Sequence, residues 1–360
     1  MAEVKEKPTT GPFVPLECND SAMAPIKIPK FTVEKVSQTF SEVIGWGLKQ
    51  LKVPTTWTIT RGAGINIYVL DTGHPNHPDL PNATLSKNCV LKEPSDDLNG
   101  HQTAVMGVIA AASNDDGMVG VAPDASLYPV KVMDKDGLGN SVAILTGLSH
   151  VLDLVKAGGA NRPHIVCMSL GTPSQLPNPI YSIIKELYRL NVPVICAAGN
   201  SGSRGVDWPA RYPECIAIGA FDESGNPAKF SAVGDKLDFS APGVGIYTTW
   251  LKGEYAKLNG TSFAAPFMAG VVALLLAKHA DQEKQTGKND CKTVPQIRAH
   301  LIKYADDKGI LGRDKNFGYG VVDVEKLIQS SETVELPVEQ AFAEAKRPSF
   351  LGRLLKTIFG

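Results

Sequence analysis

The sequence predicts an α/β fold of three layers, with a mostly parallel central sheet and helices on both faces. Three observations carry that prediction. β-Branched apolar runs alternate with segments of helical periodicity through the middle of the chain. The strand-like runs are almost continuously apolar, as they must be where a sheet is covered on both faces. Residues with chemical capacity, among them Asp71, Ser169 and Asn200, fall just after such runs, at the carboxyl ends of strands where open parallel sheets place function.

Taken in order, residues 1–40 are rich in Pro, Lys and Thr with little sustained periodicity, and read as an extension rather than a domain. Within it, residues 24–31 (Ala-Pro-Ile-Lys-Ile-Pro-Lys-Phe) are apolar and proline-stiffened, which favours extended backbone. Globular patterning starts near Glu42. Residues 65–70 form a β-branched strand that ends at Asp71-Thr72-Gly73, a tight turn. Residues 101–112 carry Val105, Val108, Ile109 and Ala112 at helical spacing. Strands are expected at 125–132, 164–169, 192–197 and 215–220, with helices at 141–156 and 178–190 between them. A Gly260-Thr261 turn then delivers Ser262 to the head of a long apolar run, which predicts a buried helix. Residues 294–305 read as helix, and 317–323 as a turn into a last helix. Residues 331–360 depart from this pattern, with an acidic stretch and then a short basic amphipathic segment from Pro348. The expected organisation is an extension (1–40), one enzyme-sized domain (41–330) and a tail (331–360).

The 360 residues are 43% hydrophobic and 20% charged, which suits a globular chain able to bury a large core. A net charge of −1 gives no bias towards nucleic acid or an anionic membrane surface, so neither is expected as a partner. No stretch reads as the roughly 18 apolar residues of a membrane span, and the polar, charged opening residues do not read as a secretion signal. The six cysteines (Cys18, Cys89, Cys167, Cys196, Cys215, Cys291) show no metal-binding spacing; Cys167 and Cys196 read as buried, reduced thiols. A cytoplasmic location follows as the expectation.

Ser262 sits where the first turn of a helix leaves backbone N–H groups unpaired and favours negative charge, which suits a nucleophile whose reaction develops an oxyanion. Attack on an amide also needs a base oriented by a carboxylate and donors for that oxyanion. Asp71 ends a buried strand, His101 opens a helix, and Asn200 follows a buried strand within Ala-Ala-Gly-Asn-Ser-Gly. Singly, each is a common turn or cap residue. Together their order and flanks are far more specific.

At this point the chain resembles the subtilisin-like serine proteases. The matching stretches are Val-Leu-Asp71-Thr-Gly with His77-Pro-Asp79-Leu, Asn-Gly-His101, Gly120-Val-Ala-Pro, Met-Ser169-Leu-Gly171, Ala-Ala-Gly-Asn200 and Asn-Gly-Thr-Ser262-Phe-Ala-Ala-Pro. The similarity spans roughly 42–330, and the Asp, His, Ser order is that of the subtilisin type. The resemblance implies a serine endopeptidase of subtilisin-like fold acting on proteins and peptides. Ser262 would be the nucleophile, His101 the general base and acid, Asp71 the residue orienting the imidazole, and Asn200 the oxyanion donor. The substrate would add as a strand between Gly137-Leu138-Gly139 and Ser169-Leu170-Gly171. The uncharged Ser201, beside the expected primary side-chain pocket, implies no selection for basic residues. One departure is Gln102, where the family has Gly; a side chain there is expected to crowd the imidazole or the helix start. The alternative it raises is a catalytically impaired binding or scaffold protein.

The resemblance also implies a Ca2+ site. Its ligands would be Glu42, Asp79, the Asn114 side chain and the carbonyls of Ala112, Asp116 and Met118, a hard-oxygen set. The short extension resembles the intracellular branch, in which it lies across the cleft as an inhibitor until removed. Residues 26–31 are the expected plug, Pro29 resisting cleavage. A homodimer is left open, as is whether the tail from Pro348 docks on a partner subunit, docks on a surface or is disordered.

Overall fold

A computed structural model describes residues 25–36, 41–158, 163–332 and 334. The expectations for residues 1–24 and for the tail beyond 334 lie outside the described residues.

In chain order the strands are β1 (Ile26–Lys27), β2 (Thr32–Val36), β3 (Asn66–Asp71), β4 (Lys87–Asn88), β5 (Ser126–Lys131), β6 (Leu138–Gly139), β7 (His164–Met168), β8 (Val194–Ala197), β9 (Cys215–Phe221), β10 (Phe239–Pro242), β11 (Ile246–Thr249), β12 (Tyr255–Asn259), β13 (Ala305–Asp306) and β14 (Val321–Val322). The helices are α1 (Trp46–Gln50), α2 (Val53–Thr56), α3 (His101–Ala110), α4 (Ser141–Gly158), α5 (Asn178–Arg189), α6 (Thr261–Thr286), α7 (Val294–Lys303) and α8 (Val324–Gln329). The central sheet runs β13-β14-β10-β9-β8-β7-β3-β5-β4, parallel except for the β13–β14 edge.

Strand alternation explains the three layers. Because successive side chains leave opposite faces of a strand, Ile67 and Val69 of β3 enter the cluster that holds α3 and α6. Tyr68 and Leu70 enter the cluster that holds α4 and α5. The same split holds in β7, with Ile165 and Cys167 on one side and Val166 and Met168 on the other. Both faces are thus dry, which is why these strands read as continuous apolar runs.

The helix expected at 294–305 ends at Lys303, and Ala305 instead starts the edge strand β13. The expectation that no segment is long and apolar enough to cross a membrane also needs correction, since α4 and α6 both meet that test by length and composition. α6 is nevertheless buried without a break from Thr261 to Ala277.

Two small sheets lie outside the expected pattern. One is antiparallel β11–β12–β2 and the other pairs β1 with β6, so the N-terminal extension contributes a strand to each. The hairpin β11–β12 is locked to α3 by Thr248 and Thr249, whose hydroxyls donate to the Ala104 and Thr103 carbonyls, each at 2.7 Å. This close approach explains a glycine inside a helix: a Cβ on Gly107 would lie 2.2 Å from Thr249 Oγ1 and 2.6 Å from Thr248 Oγ1. Gly107→Ala is expected to destabilise the fold by about 1–3 kcal/mol through overpacking. Thermal unfolding checks this, with a Tm drop of about 2–4 °C per kcal/mol in a domain of this size.

Candidate active site

The parallel sheet brings Asp71, at the end of β3, beside His101, at the start of α3. Both side chains are fully buried, and His101 Nδ1 lies 2.8 and 2.9 Å from the two Asp71 carboxylate oxygens. Asp71 Oδ1 also accepts the Thr72 amide at 2.8 Å. His101 Nε2 has no hydrogen-bond partner among the described residues.

A network missed by the sequence reading holds this pair in place. Buried Asp97 accepts from the Thr72 hydroxyl, the amides of Asn99, Gly100 and Thr103, and the Thr103 hydroxyl, thereby capping α3. Lys131, fully buried, donates to the Thr72 carbonyl at 2.6 Å and the Asp96 carbonyl at 3.2 Å, and pairs with Glu93. Its charge is therefore both paired and hydrogen-bonded, the condition for burying one. In the sequence Asp97 and Lys131 look like loop and strand-end charges; only tertiary placement gives them a role.

Gln102 does not crowd the imidazole. Its side chain turns back into the core, where Oε1 accepts the Gly73 amide at 2.9 Å and Nε2 donates to the Val69 carbonyl at 3.0 Å. It clamps the end of β3 from below, and the scaffold alternative loses its motive.

Ser262 opens α6 and is fully buried. Its Oγ makes a long contact of 3.4 Å to the Ser169 carbonyl, while Ser169 Oγ donates to the Ser262 carbonyl at 2.8 Å. Asn200 is aimed by Thr261: its Oδ1 accepts the Thr261 amide and hydroxyl at 2.9 and 2.7 Å. That leaves Nδ2 pointing into the cleft, where it donates to the Lys30 carbonyl at 2.8 Å.

The cleft is occupied by the chain's own N-terminal segment. Lys27 exchanges both amide–carbonyl bonds with Gly171 at 3.0 Å, Ile28 donates to the Gly137 carbonyl at 3.1 Å, and β1 pairs with Leu138 and Gly139. The two backbone segments expected to bind a peptide thus hold one between them. Beyond Lys30, the Phe31 ring sits on His101 with centroids 5.0 Å apart, edge-on to Phe263, and β2 continues along β12. An open cavity of about 1010 Å³ flanks this crossing, lined by Lys30, Phe31, Asn200, Phe230 and Asn259 among others.

The Ser201 hydroxyl accepts from Arg204 at 2.8 Å, and a carboxylate follows it in the chain. Asp207 packs between Gly171 and Gly199: a Cβ on Gly199 would be 2.4 Å from Asp207 Oδ2, and one on Gly171 would be 3.1 Å from its Cβ. Burial pushes the Asp207 carboxyl above its ordinary range, opposed by the positive charges of Arg211, Arg204 and Lys27. Among the described residues none of these cations forms an ion pair with it.

The expected cation ligands also converge. Asp79 accepts from Asn114 Nδ2, the Met118 amide and the Tyr255 hydroxyl at 3.2, 3.0 and 2.8 Å, and Glu42 accepts the Asn114 amide at 2.9 Å. Carbonyls alternate along the loop. Those of Asp115 and Gly117 take the amides of Glu42 and Val43, whereas those of Ala112, Asp116 and Met118 accept no hydrogen bond among the described residues. These are the three carbonyls named as ligands, so they fit a hard cation, whereas the Asn114 side-chain oxygen accepts the Asp116 amide at 3.1 Å and would have to turn to join them.

Comparison with known proteins agrees with this geometry. The model of the Subtilase family matches residues 62–320. M-protease of Shouchella clausii (strain KSM-K16) is 39% identical over 289 residues, covering 80% of this chain and 70% of that protein. Subtilisin BL of Lederbergia lenta is 39% identical over 287 residues, covering 79% and 98%. Minor extracellular protease Epr of Bacillus subtilis (strain 168) is 34% identical over 304 residues, covering 84% of this chain and 44% of that protein.

Because both polar ends of Gln102 are satisfied in the core, Gln102→Gly orphans the Gly73 amide, while the Val69 carbonyl loses one of its bonds and keeps its place in the β3–β5 ladder. At about 1–3 kcal/mol per orphaned buried group, the variant is expected to melt several degrees lower. Calorimetry against the parent chain checks this.

Proposed function

This chain belongs to the subtilase family and is a subtilisin-like serine endopeptidase, and we propose that it is made as a zymogen whose own N-terminal segment fills the cleft. The observation carrying the proposal is the Lys30 carbonyl on Asn200 Nδ2, with Phe31 against the imidazole. Asp71 takes the Nδ1 proton of His101 in a hydrogen bond, so the neutral tautomer presents a bare Nε2. Once Phe31 leaves, Ser262 Oγ turns from the Ser169 carbonyl to Nε2, gives up its proton there and attacks the substrate carbonyl. Asn200 Nδ2 and the Ser262 amide in the first turn of α6 receive the oxyanion. The imidazolium, stabilised by Asp71, returns the proton to the leaving amine.

In the plugged state the carbonyl is bound but the machinery is disengaged, since Ser262 bonds elsewhere and His101 Nε2 is idle. The segment is tethered, so modest contacts suffice to hold it at high effective concentration. Removing residues 1–40 is expected to raise kcat/KM on a peptide substrate by roughly tenfold or more. Ser262→Ala in the shortened chain is expected to fall to background. Equal rates for the full and shortened chains would contradict the plug.

Asp207 assigns the enzyme a preference for a basic side chain in the adjoining pocket, contrary to what Ser201 implied. Charge-assisted bonds contribute about 1.5–3 kcal/mol, so Asp207→Asn is expected to lower kcat/KM for Lys and Arg substrates about tenfold. Leucine substrates should be little affected. Because burial raises the Asp207 carboxyl, the preference is full above its pKa and fades as pH falls through it.

We assign the oxygen cradle of Glu42, Asp79, Ala112, Asn114, Asp116 and Met118 to Ca2+, which would tie the residues after the extension to the loop without entering the reaction. At a hundredfold excess over Kd such binding stabilises by about 2.7 kcal/mol. Chelation is therefore expected to lower Tm by roughly 5–10 °C, with recovery on adding Ca2+ but not Mg2+. Asn114→Ala should raise the Ca2+ needed for that recovery.

The five described cysteines are all unpaired, which suits a reducing compartment. That supports the cytoplasm and the intracellular type of layout, although the similar proteins include one named extracellular.

A further inference from the structure

Toward the end of α6 opposite Ser262, and sharing no residue with the cleft, α6, α7 and the loop between them bring together His279, Cys291 and His300. Their potential ligand atoms all lie within 4.8 Å of one another, and the residues are 3, 1 and 2% exposed. Asp290 stands beside them, with Oδ1 2.9 Å from His279 Nδ1 and 3.7 Å from His300 Nε2. Among the described residues, His279 Nε2 and His300 Nε2 are buried without a hydrogen-bond partner, and His279 Nδ1 and Asp290 Oδ1, though close, are not aligned for a hydrogen bond with each other.

Several orphaned polar atoms at one buried spot are expensive, at about 1–3 kcal/mol each, and usually mark an ion or a water. The donor set selects between these. Two imidazoles and a thiol converging in a closed site match the structural sites of a soft to borderline cation, and a sulfur ligand excludes Ca2+ and Mg2+. We propose that His279, Cys291 and His300 bind Zn2+, with Asp290 supplying the fourth donor.

A tetrahedral set with Zn–N near 2.0 Å and Zn–S near 2.3 Å needs donors roughly 3.3–3.6 Å apart, a contraction that small side-chain rotations supply. Burial holds both imidazoles below their ordinary range, His279 at about 4, so they are neutral and ready to ligate. The backbone of Asp290 hydrogen-bonds the His300 ring, the kind of outer contact that orients a ligating imidazole. Burial raises the Cys291 thiol, and metal binding would release its proton to solvent. The nearby Lys278 ammonium opposes a cation, but it is turned to the Leu327 and Ser330 carbonyls. The ion would pin the 287–293 loop and α7 to the end of α6. The spacing follows no common zinc motif, which is why the cysteine pattern suggested nothing.

The test is a Co2+ titration of the full chain, stripped of transition metals and saturated with Ca2+. One equivalent is expected to bind tetrahedrally, with a thiolate-to-cobalt charge-transfer band that one equivalent of Zn2+ bleaches. Cys291→Ser should lose that band, and His300→Ala should weaken binding at least tenfold, a typical ligand-shell effect. No band in the parent chain, or one that survives in Cys291→Ser, would overturn the assignment. Should either variant fail to fold, the parent titration decides alone, and peptidase activity plays no part in the readout.

Discussion

The buried hydrogen bond between His101 and Asp71 is the interaction on which the rest of the site depends. Removing a carboxylate from water costs several kcal/mol unless it is well bonded, and here the imidazole and the Thr72 amide share that task. The geometry is available because β3 ends where α3 begins. The junction is held by Asp97 above, Lys131 beside and Gln102 below, none of which would touch a substrate. The sheet is thus a frame that fixes two side chains to a tolerance no loop alone could keep.

The second constraint is the peptide already in the cleft. It uses the backbone bonds a substrate would use, along Gly137–Gly139 and Gly171, and its carbonyl reaches the donor that would receive an oxyanion. Binding and reaction are separated by one ring: Phe31 packs against His101, Phe263 and Trp250. Good ground-state binding without an engaged nucleophile is a property of an inhibitor, and in the zymogen we propose the tether would make it an internal one.

Much of the fold was legible because both faces of the sheet are dry. Ile67 and Val69, with Tyr68 and Leu70, leave a continuous apolar signature, and the alternation with helical periods does the rest. Asp71, His101, Asn200 and Ser262 were legible because each ends or opens such an element. The hairpin β11–β12 was not, since its identity lies in Thr248 and Thr249 bonding α3 across a long sequence gap. Asp207 was missed for a similar reason: beside Arg204 and Gly205 it reads as a turn residue, and only Gly171 and Gly199 reveal what it faces. Gln102 misled because a residue type carries no direction; its side chain points into the core. His279, Cys291 and His300 are brought together by two helices and a loop, with no local pattern to announce them.

The measurement that bears most directly on this account is the intact mass of the protein after brief exposure to a fluorophosphonate, with and without residues 1–40. The shortened chain is expected to gain a single adduct, mapped to Ser262, much faster than the full chain. Equal labelling rates would contradict the tethered plug, and no adduct on Ser262 in either form would contradict the catalytic assignment itself.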